Sequence, residues 1–162
     1  MQSSGPLFLD MGMGNTSESR TDLPEFELTK ANLSGIKLRE ANLSGANLSY
    51  SNLHGADLRE ANLSDASFFR ANLGEADLSM ADLSGAELRQ ANLGKANLSG
   101  ADMSNTSLFE SNLNNANLTN ADLTNASLVN TNLSKAVLER VNLSFAQTTN
   151  ALNFRPHREV SS

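Results

Sequence analysis

The chain has 162 residues with 12 basic and 18 acidic side chains, a net charge of −6, no Cys and no Trp. The lack of Cys excludes a disulfide framework, a thiol nucleophile and a Cys-based metal site. The negative balance, with Lys and Arg scattered, argues against direct nucleic-acid binding. No apolar run approaches the roughly 20 residues needed to span a membrane. The N-terminus shows no basic region followed by an apolar stretch. A cytoplasmic protein without a membrane partner is the expectation.

In chain order, residues 1–25 carry Gly, Ser, Asp and Pro without regularity and are expected to be largely flexible. Leu7-Phe8-Leu9 is the exception, an apolar set able to fold over an open end. From Ala31 to Phe145 the sequence is 23 consecutive pentapeptides without an insertion. Leu fills one position in 21 of them, with Phe68 and Met103 as the exceptions. Ala stands two residues earlier in 17, replaced by Ile36, Ser51, Thr106, Ser111, Thr131 and Val141. An internal repeat of this kind decides the architecture before any local propensity does.

A period of five suits neither regular element. An α-helix turns about 100° per residue, so successive Leu would scatter by roughly 140° round the cylinder. On a flat strand, Leu33 and Leu38 would point to opposite faces. Both problems vanish if the chain turns a corner in every pentapeptide, and Ser-Gly pairs such as 34–35, 44–45 and 84–85 supply turn residues after the Leu. A longer period counts the corners. Asn recurs at 32, 52, 72, 92, 112 and 132, and Ser at 44, 64, 84, 104 and 144 with Thr124 between them. Twenty residues, or four pentapeptides, therefore make one coil. With a preceding unit at Phe26–Lys30 the array makes about six coils, a rod roughly 29 Å long at the inter-strand spacing. The Asn32-to-Asn132 column should form a ladder of side-chain amides.

Motifs such as Ala41-Asn42-Leu43-Ser44-Gly45 and Ala81-Asp82-Leu83-Ser84-Gly85 resemble the pentapeptide-repeat proteins. The resemblance implies an all-β fold, a right-handed quadrilateral parallel β-helix with small side chains and Leu stacked inside. It implies no single activity, because one fold hosts many functions. The expected organisation is an N-terminal segment over 1–25, the β-helix over 26–147 and a C-terminal cap and tail over 148–162. Gln147-Thr148-Thr149 breaks the Leu pattern, Leu152 and Phe154 are the last large apolar residues, and Pro156 disfavours further strand pairing.

Several motifs carry no chemistry. The Asn-Leu-Ser triplets follow from the repeat and are not read as glycosylation signals. His54 and His157 have no matching second ligand, so each reads as a surface His. No catalytic, cofactor or metal site is expected, and a convex solenoid offers no pocket for acid–base work. Two features stand out. Asp82, Asp102 and Asp122 stack in one column, which should raise at least one pKa unless a cation or donor relieves them. Asp57 and Asp77 form a shorter pair. The position after the Leu on one face reads Phe69, Arg89, Phe109 and Val129, with Tyr50 and Arg70 beside it. This stripe suits docking of a protein partner or a second copy of the chain; the alternative is that the rings shield backbone under a stacked Arg89.

The leading functional expectation is a non-enzymatic scaffold for protein–protein interaction. One alternative follows from the resemblance: some pentapeptide-repeat proteins mimic a DNA duplex, bind DNA gyrase or topoisomerase IV and confer fluoroquinolone resistance. Against it, residues 26–147 hold 13 acidic and 9 basic side chains, only four negative charges net, with no projecting loop and a short C-terminal tail. A weak cation-binding solenoid, through the acidic column, is the other alternative.

Overall fold

The structure, a computed structural model, describes residues 22–152. Nearly every pentapeptide closes a four-residue turn whose last residue donates its N–H to the carbonyl of the Leu that begins it. Ala96 to Leu93 at 3.0 Å and Ser51 to Leu48 at 3.1 Å are examples. The third turn residue has positive φ at every fifth position, from Glu25 at 57° to Asn150 at 56°. That is type II turn geometry. Gly at 35, 45, 55, 85 and 100 adopts it freely, and Asn at six of these positions tolerates it. Side chains such as Met80 and Phe145 adopt it at a cost of about 1–2 kcal/mol each.

Between turns the chain makes one parallel bridge per unit, always to the residue twenty further on, from Asp22 with Asn42 to Asn132 with Leu152. The N–H of Leu33 meets the carbonyl of Asn52 at 2.7 Å, and the N–H of Asn52 meets the carbonyl of Ala31 at 2.9 Å. The result is a four-sided parallel β-helix. Its faces are named here by their bridge columns: face 1 from Asp22 to Asn142, face 2 from Glu27 to Gln147, face 3 from Asn32 to Leu152, and face 4 from Lys37 to Val137. No α-helix occurs among the described residues.

Coil geometry reaches beyond the stretch marked by the Leu repeat. Leu23 and Glu25 already donate to the carbonyls of Asn42 and Ser44. At the other end Thr148 takes the place of Leu, and the turn still closes from the N–H of Ala151 to the carbonyl of Thr148 at 3.0 Å. Turn and ladder are backbone bonds, so they survive where the side-chain pattern stops. Leu7-Phe8-Leu9, Phe154, Pro156 and His157 lie outside the described residues.

The core is the inward Leu and Ala columns, most of them without measurable exposure, and Phe68 and Met103 fill Leu positions equally buried. Each buried Leu contributes about 1.5–3 kcal/mol. Ser51, Thr106, Ser111 and Thr131 stand buried in Ala positions. Their hydroxyls donate to nearby Leu or Met carbonyls at 2.6–2.7 Å, so they bring no unpaired polar atom into the core. At the C-terminal coil the covering thins: Leu138 and Leu143 are only partly buried, and Phe145 is 86% exposed.

Candidate functional site

The four faces share one backbone and differ in what they display. Face 3 carries the Asn ladder in unbroken form. Asn52 donates to Asn32, Asn72 to Asn52, Asn92 to Asn72, Asn112 to Asn92 and Asn132 to Asn112, at 2.9–3.2 Å. Each Oδ1 also accepts the backbone N–H two residues on, as Asn92 does from Gly94 at 3.1 Å.

Face 1 with its turn residues holds Asp22, Glu25, Asp65, Asp82, Asp102 and Asp122 and neither Lys nor Arg. The other faces are nearly balanced: three acids against three bases on face 2, one against two on face 3, five against four on face 4. The net charge of the described coils therefore resides on one side. Asp82, Asp102 and Asp122 do form one column, bridged in succession. Each accepts a backbone N–H at 2.9 Å, from Ser84, Ser104 and Thr124. Among the described residues no three His, Asp or Glu side chains gather closely enough to hold a metal ion.

Face 2 carries the aromatic stripe. Phe69, Phe109 and Val129 are half-buried and Arg89 is exposed. The Arg89 guanidinium lies over Phe109 at 5.7 Å and donates to Glu87. It does not bridge the two rings. Phe69 takes Arg70 instead, at 5.2 Å, and meets Tyr50 edge-on at 5.4 Å. Arg70 in turn donates to Gln90 at 2.6 Å, and Gln90 to Glu110 at 2.7 Å. The turn column beside the stripe thus ties three coils together.

On face 4, Arg59 grips Asp57 with two bonds, Nε to Oδ1 at 2.7 Å and Nη2 to Oδ2 at 2.6 Å. This pairing holds the Asp57 carboxyl below its ordinary value and outweighs the opposing effect of partial burial. Asp77 has a different partner set: it accepts from the N–H and hydroxyl of Ser79 and from the Asn97 amide.

A feature that pattern reading passed over lies on face 3. Gly74 and Gly94 are the only glycines directly after the Leu position among the described residues. They open a shallow depression of about 280 Å³, floored by Asn72, Asn92 and Asn112 and rimmed by His54, Glu75 and Lys95. Lys95 Nζ stands 2.9 Å from Glu75 Oε1, and His54 Nε2 stands 3.9 Å from Glu75 Oε2. Lys95, then His54, draws the Glu75 carboxyl below its ordinary value. The signal was present in the sequence as two glycines twenty residues apart in a column otherwise filled by Ser34, His54, Asn114 and Ser134. His54 gains neighbours only when the chain coils.

A solenoid of four-sided coils is the class these features define. The profile of pentapeptide repeats matches over residues 27–65, 66–105 and 116–151, and the chain belongs to that family, whose fold is a right-handed β-helix. Among solved structures it is similar to the pentapeptide repeat protein Rfr23 from the cyanobacterium Cyanothece 51142, at 28% identity over 81% of this chain and 88% of that one, with a TM-score of 0.43. It is similar to HetL, a protein involved in heterocyst differentiation regulation from Nostoc sp. strain PCC 7120, at 26% identity over 82% and 86%, TM-score 0.37. QnrB1, a plasmid-mediated fluoroquinolone resistance protein, aligns at 20% identity over 75% and 69%, TM-score 0.48. No curated protein matches the chain. No helix among the described residues is long and apolar enough to cross a membrane.

Proposed function

We infer that the chain is a non-enzymatic docking rod whose contact surface for a protein partner is face 2, through Phe69, Arg89, Phe109 and Val129. The observation that carries this reading is the pairing of Arg70 and Arg89 with the rings of Phe69 and Phe109 on one face. Aromatic and Arg side chains are the usual energetic anchors of interfaces. Their preorganisation on a stiff ladder reduces the ordering cost of binding. The adjoining face 1 presents six carboxylates without a cation. The partner that fits both sides of this corner has an apolar groove flanked by basic residues.

The test is a Phe69→Ser/Phe109→Ser variant. Both rings lie outside the Leu core, so the melting temperature should stay within about 5 °C of wild type. Binding to the partner recovered with wild type, or self-association in sedimentation, should be lost. A variant that melts much earlier makes the rings backbone shields and moves the docking surface to the acidic face.

The confinement of net charge to face 1 favours one second reading, duplex-like presentation of acids to a DNA-binding protein such as gyrase. Its test is supercoiling by purified gyrase: inhibition by wild type that disappears in an Asp82→Asn/Asp102→Asn/Asp122→Asn variant supports mimicry, and no inhibition removes it.

A further inference from the structure

We propose that face 2 is self-complementary and that its occupant is a second copy of this chain, docked antiparallel across a two-fold axis at the level of Arg89. The proposal rests on the reading of face 2 as the docking surface and names what docks there. Coils stack in strict register on this face, through bridges such as Ser67 with Glu87 and Glu87 with Ser107. Each outward column is therefore a straight line of residues along the rod. In the stripe, Phe69 and Phe109 stand one coil to either side of Arg89, and Thr29 and Thr149 close its two ends. In the turn column beside it, Arg70 and Glu110 stand one coil to either side of Gln90, with opposite charge. The apolar pattern thus reads alike in both directions, and the charge pattern reverses. That is the arrangement a surface needs to pair with itself.

In a two-fold pair, residue i of one copy meets residue j of the other, and j meets i. An axis parallel to the strand of the Glu87 coil reverses the rod and sets each column opposite itself. Phe69 of either copy then opposes Phe109 of the other, and Arg70 opposes Glu110, each contact made twice. Arg70 and Glu110 are exposed. The bonds through Gln90 use only Nε of the guanidinium and Oε2 of the carboxylate, so both ends keep capacity for the facing copy. Arg89 meets its own counterpart, but Glu87 lies two residues along the same strand and pairs with it at 3.4 Å. A guanidinium has five N–H donors, enough to serve the Glu87 carboxylates of both copies. The same axis leaves face 1 of each copy on one side of the pair, where screening over about 8 Å at physiological salt limits their repulsion. A face roughly 29 Å long and one short strand wide offers less than the about 800 Å² per partner of a standard interface, so the dimer is expected to be weak and reversible.

The experiment is sedimentation equilibrium of the full chain from micromolar to millimolar concentration, with charge exchange across the axis. Wild type should form a reversible dimer. Glu110→Arg sets like charges opposite each other at two symmetric points and should weaken dimerisation at least about fivefold. Arg70→Glu/Glu110→Arg exchanges the two charges and should restore the wild-type affinity. Glu75→Arg on face 3 makes the same change in net charge and should leave the affinity unaltered. All three positions are exposed, so the variants should melt close to wild type. A dimer indifferent to Glu110→Arg, or not restored by the double exchange, overturns the proposal. So does a wild-type chain that stays monomeric throughout. If that monomer still loses a different protein partner through Phe69→Ser/Phe109→Ser, face 2 remains the docking surface and only the second copy is removed. A dimer that survives Phe69→Ser/Phe109→Ser removes both.

Discussion

The Asn side chain on face 3 does three jobs at once, and Asn92 shows their weight. It donates to Asn72, accepts from Asn112 and accepts the N–H of Gly94. At about 0.5–1.5 kcal/mol net for each of the three bonds, Asn92→Ala should cost roughly 1.5–4.5 kcal/mol in urea unfolding. A loss below the error of that measurement would mean that water replaces the ladder without penalty. Asp57 gives a pH-dependent counterpart. Its folded pKa lies below the ordinary 3.8 because Arg59 bonds it. The pair's contribution is therefore present above that value and lost as pH falls through the lower folded pKa. Arg59→Met should melt a few degrees earlier near neutral pH, and the two proteins should converge in acid; a gap independent of pH would assign the difference to lost packing of the Arg stem.

At the scale of the coil, inward and outward positions alternate with opposite tolerances. Leu73 and Leu93 have no exposure, so Leu73→Asp buries an unpaired carboxylate and should abolish folding in circular dichroism. Ser99→Asp, on the surface of the same coils, should melt close to wild type. Ser79 is the less neutral choice, since its N–H and hydroxyl both serve Asp77 and an Asp there would face a like charge. The turn has its own ledger. Phe145 holds φ at 61° while 86% exposed. Phe145→Gly relieves about 1 kcal/mol of left-handed strain and should raise the melting temperature by roughly 3 °C. A fall instead would show that the ring packs on another part of the chain or a second copy.

Over the whole molecule, neighbouring coils supply each other's core, so stability accumulates coil by coil. Deleting residues 81–100 removes one full coil and joins Asn72 to Asn112 in the same ladder. Deleting only 81–90 keeps the Leu phase but turns every later unit through two faces, setting the Asn column of face 3 against the Asp column of face 1. The ten-residue deletion should lose more stability per residue removed in thermal melts. Equal losses per residue would leave the Leu and Ala core as the sole determinant of register.

The fold was legible in the chain because a five-residue period admits one solution. Leu33 and Leu38 can face the same core only if the chain turns between them, and the twenty-residue recurrence of Asn counts four turns per coil. The Asn ladder follows from the same arithmetic, since identical residues at identical positions must stack. Sequence spacing could place Phe69, Arg89 and Phe109 in one column but not say which cation covers which ring. That choice depends on side-chain reach across the turn, and it gave Arg70 to Phe69 and Arg89 to Phe109. The depression over Gly74 and Gly94 lay further out of view. Its rim joins His54, Glu75 and Lys95 from three successive coils, and residues twenty apart become neighbours only when backbone pairing brings their coils within one strand spacing.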